Sequence, residues 1–148
     1  MARPERYSGT PILAYVRNPW DWYVSFFSFF RHRYDAGDDV SVFRMQLGKI
    51  LETDACTKHT IGMVMDEDMN IPCRLRRVED GVGAQLISFV DNNCPSLPDK
   101  LVEIANKSER KNVSKRGDYR SYYTDDMALA VAVRDRWLID QYEYEFGR

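Results

Sequence analysis

The sequence predicts an α/β fold: a small, mostly parallel sheet packed by helices. Three observations carry this expectation. A continuous apolar run, Ile12, Leu13, Ala14, Tyr15 and Val16, lies between Pro11 and the pair Asn18-Pro19, which suits a strand buried on both faces. A second strand is expected near Cys73 to Val78. Elsewhere apolar residues recur at three- and four-residue steps, the period of helices that bury one face. At 148 residues the chain fits one domain, 1–148, long enough to bury a core.

The elements follow in chain order. The first strand should end near Arg17, because Pro19 cannot donate to a ladder and pushes Asn18 out of the helical region, yet is tolerated in the first turn of a helix. Trp20, Tyr23, Val24, Phe27, Phe30 and Tyr34 then trace one face of a helix, with Asp21 placed to complement its dipole. Asp35, Gly37 and Asp38 should stop it. A second helix is expected from Val40 to about Leu51, capped by Asp38 or Asp39.

Thr60 to Met65 reads as a strand, followed by an acidic turn, Asp66-Glu67-Asp68, and a second strand through Ile71 and Arg77. That turn lacks the glycine and distal glutamate of a calcium-binding EF-hand loop, so it reads as a solvated hairpin turn. A helical stretch covers Val82 to Val90, its start weakened by Gly81 and Gly83. Ser96 and Pro98 open a short helix through Ile104. From Asn106 to Gly117 the chain is basic and polar with no apolar period, which reads as a loop. Thr124 caps the last helix, with Asp125 and Asp126 in its first turn and Met127, Val131, Leu138, Tyr142 and Phe146 as a core-facing stripe to which Trp137 adds.

Composition excludes several classes. Hydrophobic residues make up 44% and aromatic residues 13% of the chain, too much for disorder. A formal net charge of −2 gives no global attraction to nucleic acid or an anionic membrane, so polyanion binding would need a local cluster. Three cysteines, Cys56, Cys73 and Cys94, are odd in number and too far apart for a zinc motif, which favours inert thiols in a reducing compartment. No apolar run reaches the length of a membrane span, and MARPERYSGTP lacks a signal-peptide core. The expectation is a cytoplasmic protein, and the sequon Asn112-Val113-Ser114 has little weight without an export signal.

Two places can bind an anion. A strand leading into a helix N-terminus leaves backbone N–H groups unpaired where the dipole favours negative charge. Arg17 lies at that mouth with a fork suited to phosphate, and Ser25 can add a hydroxyl donor. The alternative is an Arg17–Asp21 surface ion pair with Ser25 as a small packed residue, and on spacing alone that alternative is the stronger. The basic loop has three readings: a solvated linker, a patch for phosphate or nucleic acid, or an adhesion tripeptide at Arg116-Gly117-Asp118. His32 and His59 have the chemistry of a general base, but without a partner each reads more readily as a surface histidine.

VRNPWDWYVSFF, with Arg17 and Ser25 around Asn18-Pro19 and Asp21, resembles the R-[DN]-P-x-D-x-x-x-S segment of sulfotransferases that use 3′-phosphoadenosine 5′-phosphosulfate (PAPS). In that family the Arg and Ser hold the 3′-phosphate. Arg76-Arg77-Val78-Glu79-Asp80 resembles an R-x-E-D segment further along the family's chain. NVSKRGDYRSYYTDDM looks like its C-terminal segment, where a basic, glycine-containing loop closes over the same phosphate. The resemblance implies a P-loop-like sulfotransferase fold and assigns Arg17, Ser25, Lys115, Arg116 and Gly117 to nucleotide binding. Gly117 would let the backbone approach the anion while Lys115 and Arg116 supply charge. The family's 5′-phosphosulfate loop has no counterpart before Pro11, so the domain is expected to be truncated at its N-terminus.

The leading expectation is therefore sulfuryl transfer from PAPS to a hydroxyl or amine acceptor, with this chain supplying the 3′-phosphate subsite and no metal. Whether the chain is itself an enzyme is open at this point, and its catalytic base is unassigned. A non-catalytic nucleotide- or phosphate-binding module shares the pocket without turnover. A helical interaction protein instead predicts an exposed aromatic surface around Trp20 to Phe30, able to drive homodimerisation.

Overall fold

Pro19 sets the boundary at which the chain changes from strand to helix. Strand β1 (Tyr15–Val16) stops just before it, and helix α1 (Pro19–Phe30) begins on the proline itself, where a missing N–H costs nothing. The computed structural model describes residues 11–30, 39–53, 55–65, 71, 73, 75–93, 103 and 116–148. These are mostly helical, with a small parallel sheet of two strands. The chain groups into two compact units, one formed by Met1–Arg17 and Thr60–Val113 and the other by Asn18–His59 and Ser114–Arg148.

In the first unit β1 pairs in parallel with β2 (Arg76–Arg77), Tyr15 opposite Arg76 and Val16 opposite Arg77. The Arg76 N–H donates to the Ala14 carbonyl at 2.9 Å. Both strands are shorter than expected. Val16 and Leu75 are buried, but Ile12 to Tyr15 are only half-buried, so β1 does not fill a two-sided core. Val78 leaves the sheet to begin a 3-10 turn, Val78–Asp80. Gly81 follows at φ 91°, a left-handed position that favours glycine, and its carbonyl accepts from Gln85 N–H to open α4 (Val82–Asn93). The residue expected to weaken this helix start in fact makes it. Tyr15 Oη donates to the Val82 carbonyl at 3.2 Å and Gln85 Nε2 to the Arg77 carbonyl at 2.8 Å, tying α4 to the sheet.

The expected strand from Thr60 to Met65 is instead the second half of helix α3 (Cys56–Val64). Periodicity over so short an apolar run does not separate strand from helix. The helix starts four residues earlier than the run, at Cys56, and Val64 is buried while Met63 is 71% exposed. The acidic turn at 66–68 lies outside the described residues.

The second unit is built on aromatic packing. From α1, Trp20, Tyr23, Val24 and Phe27 are buried, as their spacing requires. Helix α2 (Asp39–Thr53) contributes buried Phe43 and Leu47. Phe43 stands edge-on to Phe27, Tyr122 and Tyr123, with centroids 5.2–5.5 Å apart, a favoured quadrupole arrangement. A 3-10 turn, Tyr119–Tyr122, presents those tyrosines, and Arg44 Nε holds it by donating to the Tyr122 carbonyl at 3.0 Å.

Thr124 caps the next helix as expected, its Oγ1 accepting from Met127 N–H. The single long helix predicted from there is divided at Asp135 into α5 (Asp125–Arg134) and α6 (Arg136–Tyr142). The break re-aims the stripe: Val131 and Leu138 are fully buried, but Trp137 and Phe146 are 44% and 40% exposed. The expected end of α1 and most of the basic loop lie outside the described residues, and of the expected Ser96–Ile104 helix only Glu103 is described, in helical conformation.

Candidate anion-binding site

The start of α1 is capped by its own chain. Asn18 Oδ1 accepts from Trp20 N–H at 3.1 Å and from Asp21 N–H at 3.4 Å, and Pro19 has no N–H to offer. This is a side-chain N-cap. It corrects the expectation of outward, unpaired N–H groups at this terminus: the donors that would have held an anion are spent on Asn18. Any anion bound here must be held by side chains.

One such side chain comes from the far end of the sequence. Arg116 Nη2 donates to Asp21 Oδ1 in an ion pair whose side chains are 11% and 19% exposed. The alternative Asp21 partner weighed from sequence was Arg17. The pair with Arg116 joins the first turn of α1 to the residues just before the Tyr119–Tyr122 turn, within the second unit. Ser25 lies four residues after Asp21 on α1 and half-buried, so it sits one turn along the same helix face.

Gly117 is exposed, and a Cβ there would meet only Ser121 Oγ at 3.9 Å. The fold does not demand glycine at this position. Arg17 is half-buried and belongs to the first unit, whereas Ser25, Arg116 and Gly117 belong to the second. Lys115 lies outside the described residues. The remaining charge of the RGD triplet is also used internally: Asp118 caps the 3-10 turn through Arg120 N–H and receives the Arg120 guanidinium. Those hydrogen bonds hold the Asp118 carboxyl below its usual pKa.

A second polar cluster, missed in the sequence, is buried in the same unit. Asp135 is fully buried at the α5–α6 break. Its Oδ2 accepts from Tyr23 Oη at 2.7 Å and its Oδ1 from Thr57 N–H at 2.7 Å, while Tyr23 Oη accepts from Cys56 N–H at 3.3 Å. The carboxylate thus caps α3 from the α5–α6 break, satisfying the Thr57 N–H that α3 cannot. Burial, and then the neighbouring carboxylate, push the Tyr23 hydroxyl far above its ordinary pKa. The available signal was a carboxylate placed between Val131 and Leu138 on an apolar stripe.

Of the two histidines, His32 lies outside the described residues, and His59 stands edge-on to Trp22 and Phe26 at 5.6 and 5.9 Å. Its ring faces aromatic rings, not an acid that would orient it as a base. Cys56 is buried and Cys73 half-buried. Among the described residues no cluster of His, Cys, Asp or Glu is placed to hold a metal ion, and no helix is long and apolar enough to cross a membrane. The chain matches no family model, and no curated protein or solved structure matches it.

Proposed function

We propose that this chain is a sulfotransferase-type domain that binds the 3′-phosphate of PAPS, the donor in sulfuryl transfer to a hydroxyl or amine acceptor. One observation carries the reading. The Arg116–Asp21 ion pair links the two segments that resemble nucleotide-binding segments, although 95 positions separate them. Ser25 lies one helical turn away. The donor set suits the ligand: a guanidinium has five N–H donors in a planar fork, enough to serve a carboxylate and a phosphate together, and a serine hydroxyl adds another. Gly117, not required by the backbone, leaves room for the loop to approach an anion. Arg17 enters the reading on its position in the sequence pattern alone.

Calorimetric titration of the whole chain with adenosine 3′,5′-bisphosphate tests the proposal, with adenosine 5′-monophosphate as control. Selective binding of the bisphosphate is expected. Arg116→Ala and Arg17→Ala should each weaken it about 10- to 100-fold, the loss of a charge-assisted hydrogen bond worth about 1.5–3 kcal/mol. Equal affinity for the two nucleotides, or none for either, removes the 3′-phosphate subsite. Release of adenosine 3′,5′-bisphosphate from PAPS in the presence of acceptor then separates a transferase from a binding module without turnover.

A further inference from the structure

Helix α5 carries an apolar stripe that its own unit leaves uncovered. Leu129 and Val133 are 63% and 70% exposed. With Ala130 and with Leu51 of α2 they line an open groove of about 550 Å3, bordered by Asp126 and Arg134. Among the described residues neither of these two charges has a hydrogen-bond or ion-pair partner.

Their order along the helix is self-complementary. Asp126, Ala130 and Arg134 follow one another at single-turn spacing, so they lie near one line with the small residue midway. A second copy turned by 180° about an axis through Ala130 brings Asp126 of each chain to Arg134 of the other. It also interleaves Leu129 and Val133 across the seam and places alanine where the two backbones cross most closely. A twofold interface has to match itself in this way, because the same patch serves both sides. A partner of unrelated sequence places no such demand on the order of charges.

We propose that this face of α5 is an antiparallel, twofold interface with a second copy of the chain. It is separate from the aromatic face of α1, whose Trp20, Tyr23 and Phe27 are buried in the unit's own core, and it holds whether or not the chain binds nucleotide.

Sedimentation velocity on the whole chain over a concentration series tests it, and a reversible monomer–dimer equilibrium is expected. Asp126→Arg and Arg134→Asp each convert both cross-axis pairs into like-charge pairs and should weaken dimerisation about tenfold. Combining the two substitutions in one chain restores the pairs with their signs exchanged. Mixing the two single variants restores them in a heterodimer. Ala130→Cys, on the axis, should form a disulfide with its own copy under mild oxidation, and adding Arg134→Asp should suppress it. A chain that stays monomeric throughout the series overturns the proposal. So does a dimer indifferent to charge reversal, as expected if another face pairs, or a loss that neither the double variant nor the mixture repairs.

Discussion

Asp135 shows how one side chain can join three helices. Its two carboxylate oxygens serve Tyr23 on α1 and Thr57 on α3, and it occupies the break between α5 and α6. Replacing it with alanine leaves two buried donors without acceptors, each costing about 1–3 kcal/mol. Asp135→Ala should therefore lower stability in urea unfolding by about 2–5 kcal/mol, and Asp135→Asn, which keeps one acceptor, by less. A change within 0.5 kcal/mol for the alanine variant, on the order of a neutral surface substitution, would show that the network contributes nothing. Tyr23 makes the same network depend on pH. An unfolded tyrosine ionises near 10.0, while burial and the adjacent carboxylate raise the folded value well above that. Above pH 10 the unfolded state loses a proton that the folded state keeps, so stability falls as pH rises. Burial acts on Tyr123 in the same direction. Unfolding free energy measured between pH 8 and 11 should decline past about 10, and Tyr23→Phe should reduce the slope.

Among the elements, the close of α6 is under avoidable strain. Glu143 follows the helix at φ 53°, ψ 42°, the left-handed cap position where glycine is preferred because it has no Cβ to clash. Glu143→Gly is expected to stabilise the chain by about 0.5–1 kcal/mol, seen as a higher thermal midpoint. An unchanged or lower midpoint would mean that the glutamate stem packs well enough to offset its backbone cost. Helix α1 illustrates the opposite condition. Its first turn combines a side-chain cap from Asn18, proline at the first position and Asp21 near the positive end of the dipole, so local chemistry and tertiary packing agree.

At the scale of the molecule, the anion-binding proposal depends on residues whose structural and functional demands can be separated. Gly117 is the most informative of them. Because a Cβ there meets open space and a serine oxygen at ordinary contact distance, Gly117→Ala should leave the unfolding midpoint unchanged. If the loop closes over a phosphate, the same substitution should weaken adenosine 3′,5′-bisphosphate binding several-fold, about 1 kcal/mol. Equal affinity in the variant would count against close backbone approach at this position. Arg116 differs, since it is ion-paired in a mostly buried setting. Its replacement removes a charge partner of Asp21 and should reduce stability as well as binding.

The helices with a long apolar period were legible from the residues alone. Trp20, Tyr23, Val24 and Phe27 on α1 and Phe43 and Leu47 on α2 are buried where their spacing puts them, because a 3.6-residue period leaves few ways to hide so many aromatic rings. The Thr124 cap was legible for a similar local reason, and the strands pair in parallel as expected although β1 is not buried on both faces. What the residues did not reveal depends on partners distant in sequence. Thr60 to Val64 is helical within an α3 whose first turn is capped by a carboxylate 78 positions after Thr57. The last helix divides at Asp135, the residue that carries this carboxylate. The first N–H groups of α1 are taken up by the Asn18 side-chain oxygen, which accepts from Trp20 and Asp21, a matter of geometry, not composition. Arg116, 95 positions along the chain, pairs with Asp21, a contact that spacing alone did not suggest. Periodicity records which face of an element avoids water, and so it carries the core. Which polar groups meet across the core is set by three-dimensional packing, which no local pattern records.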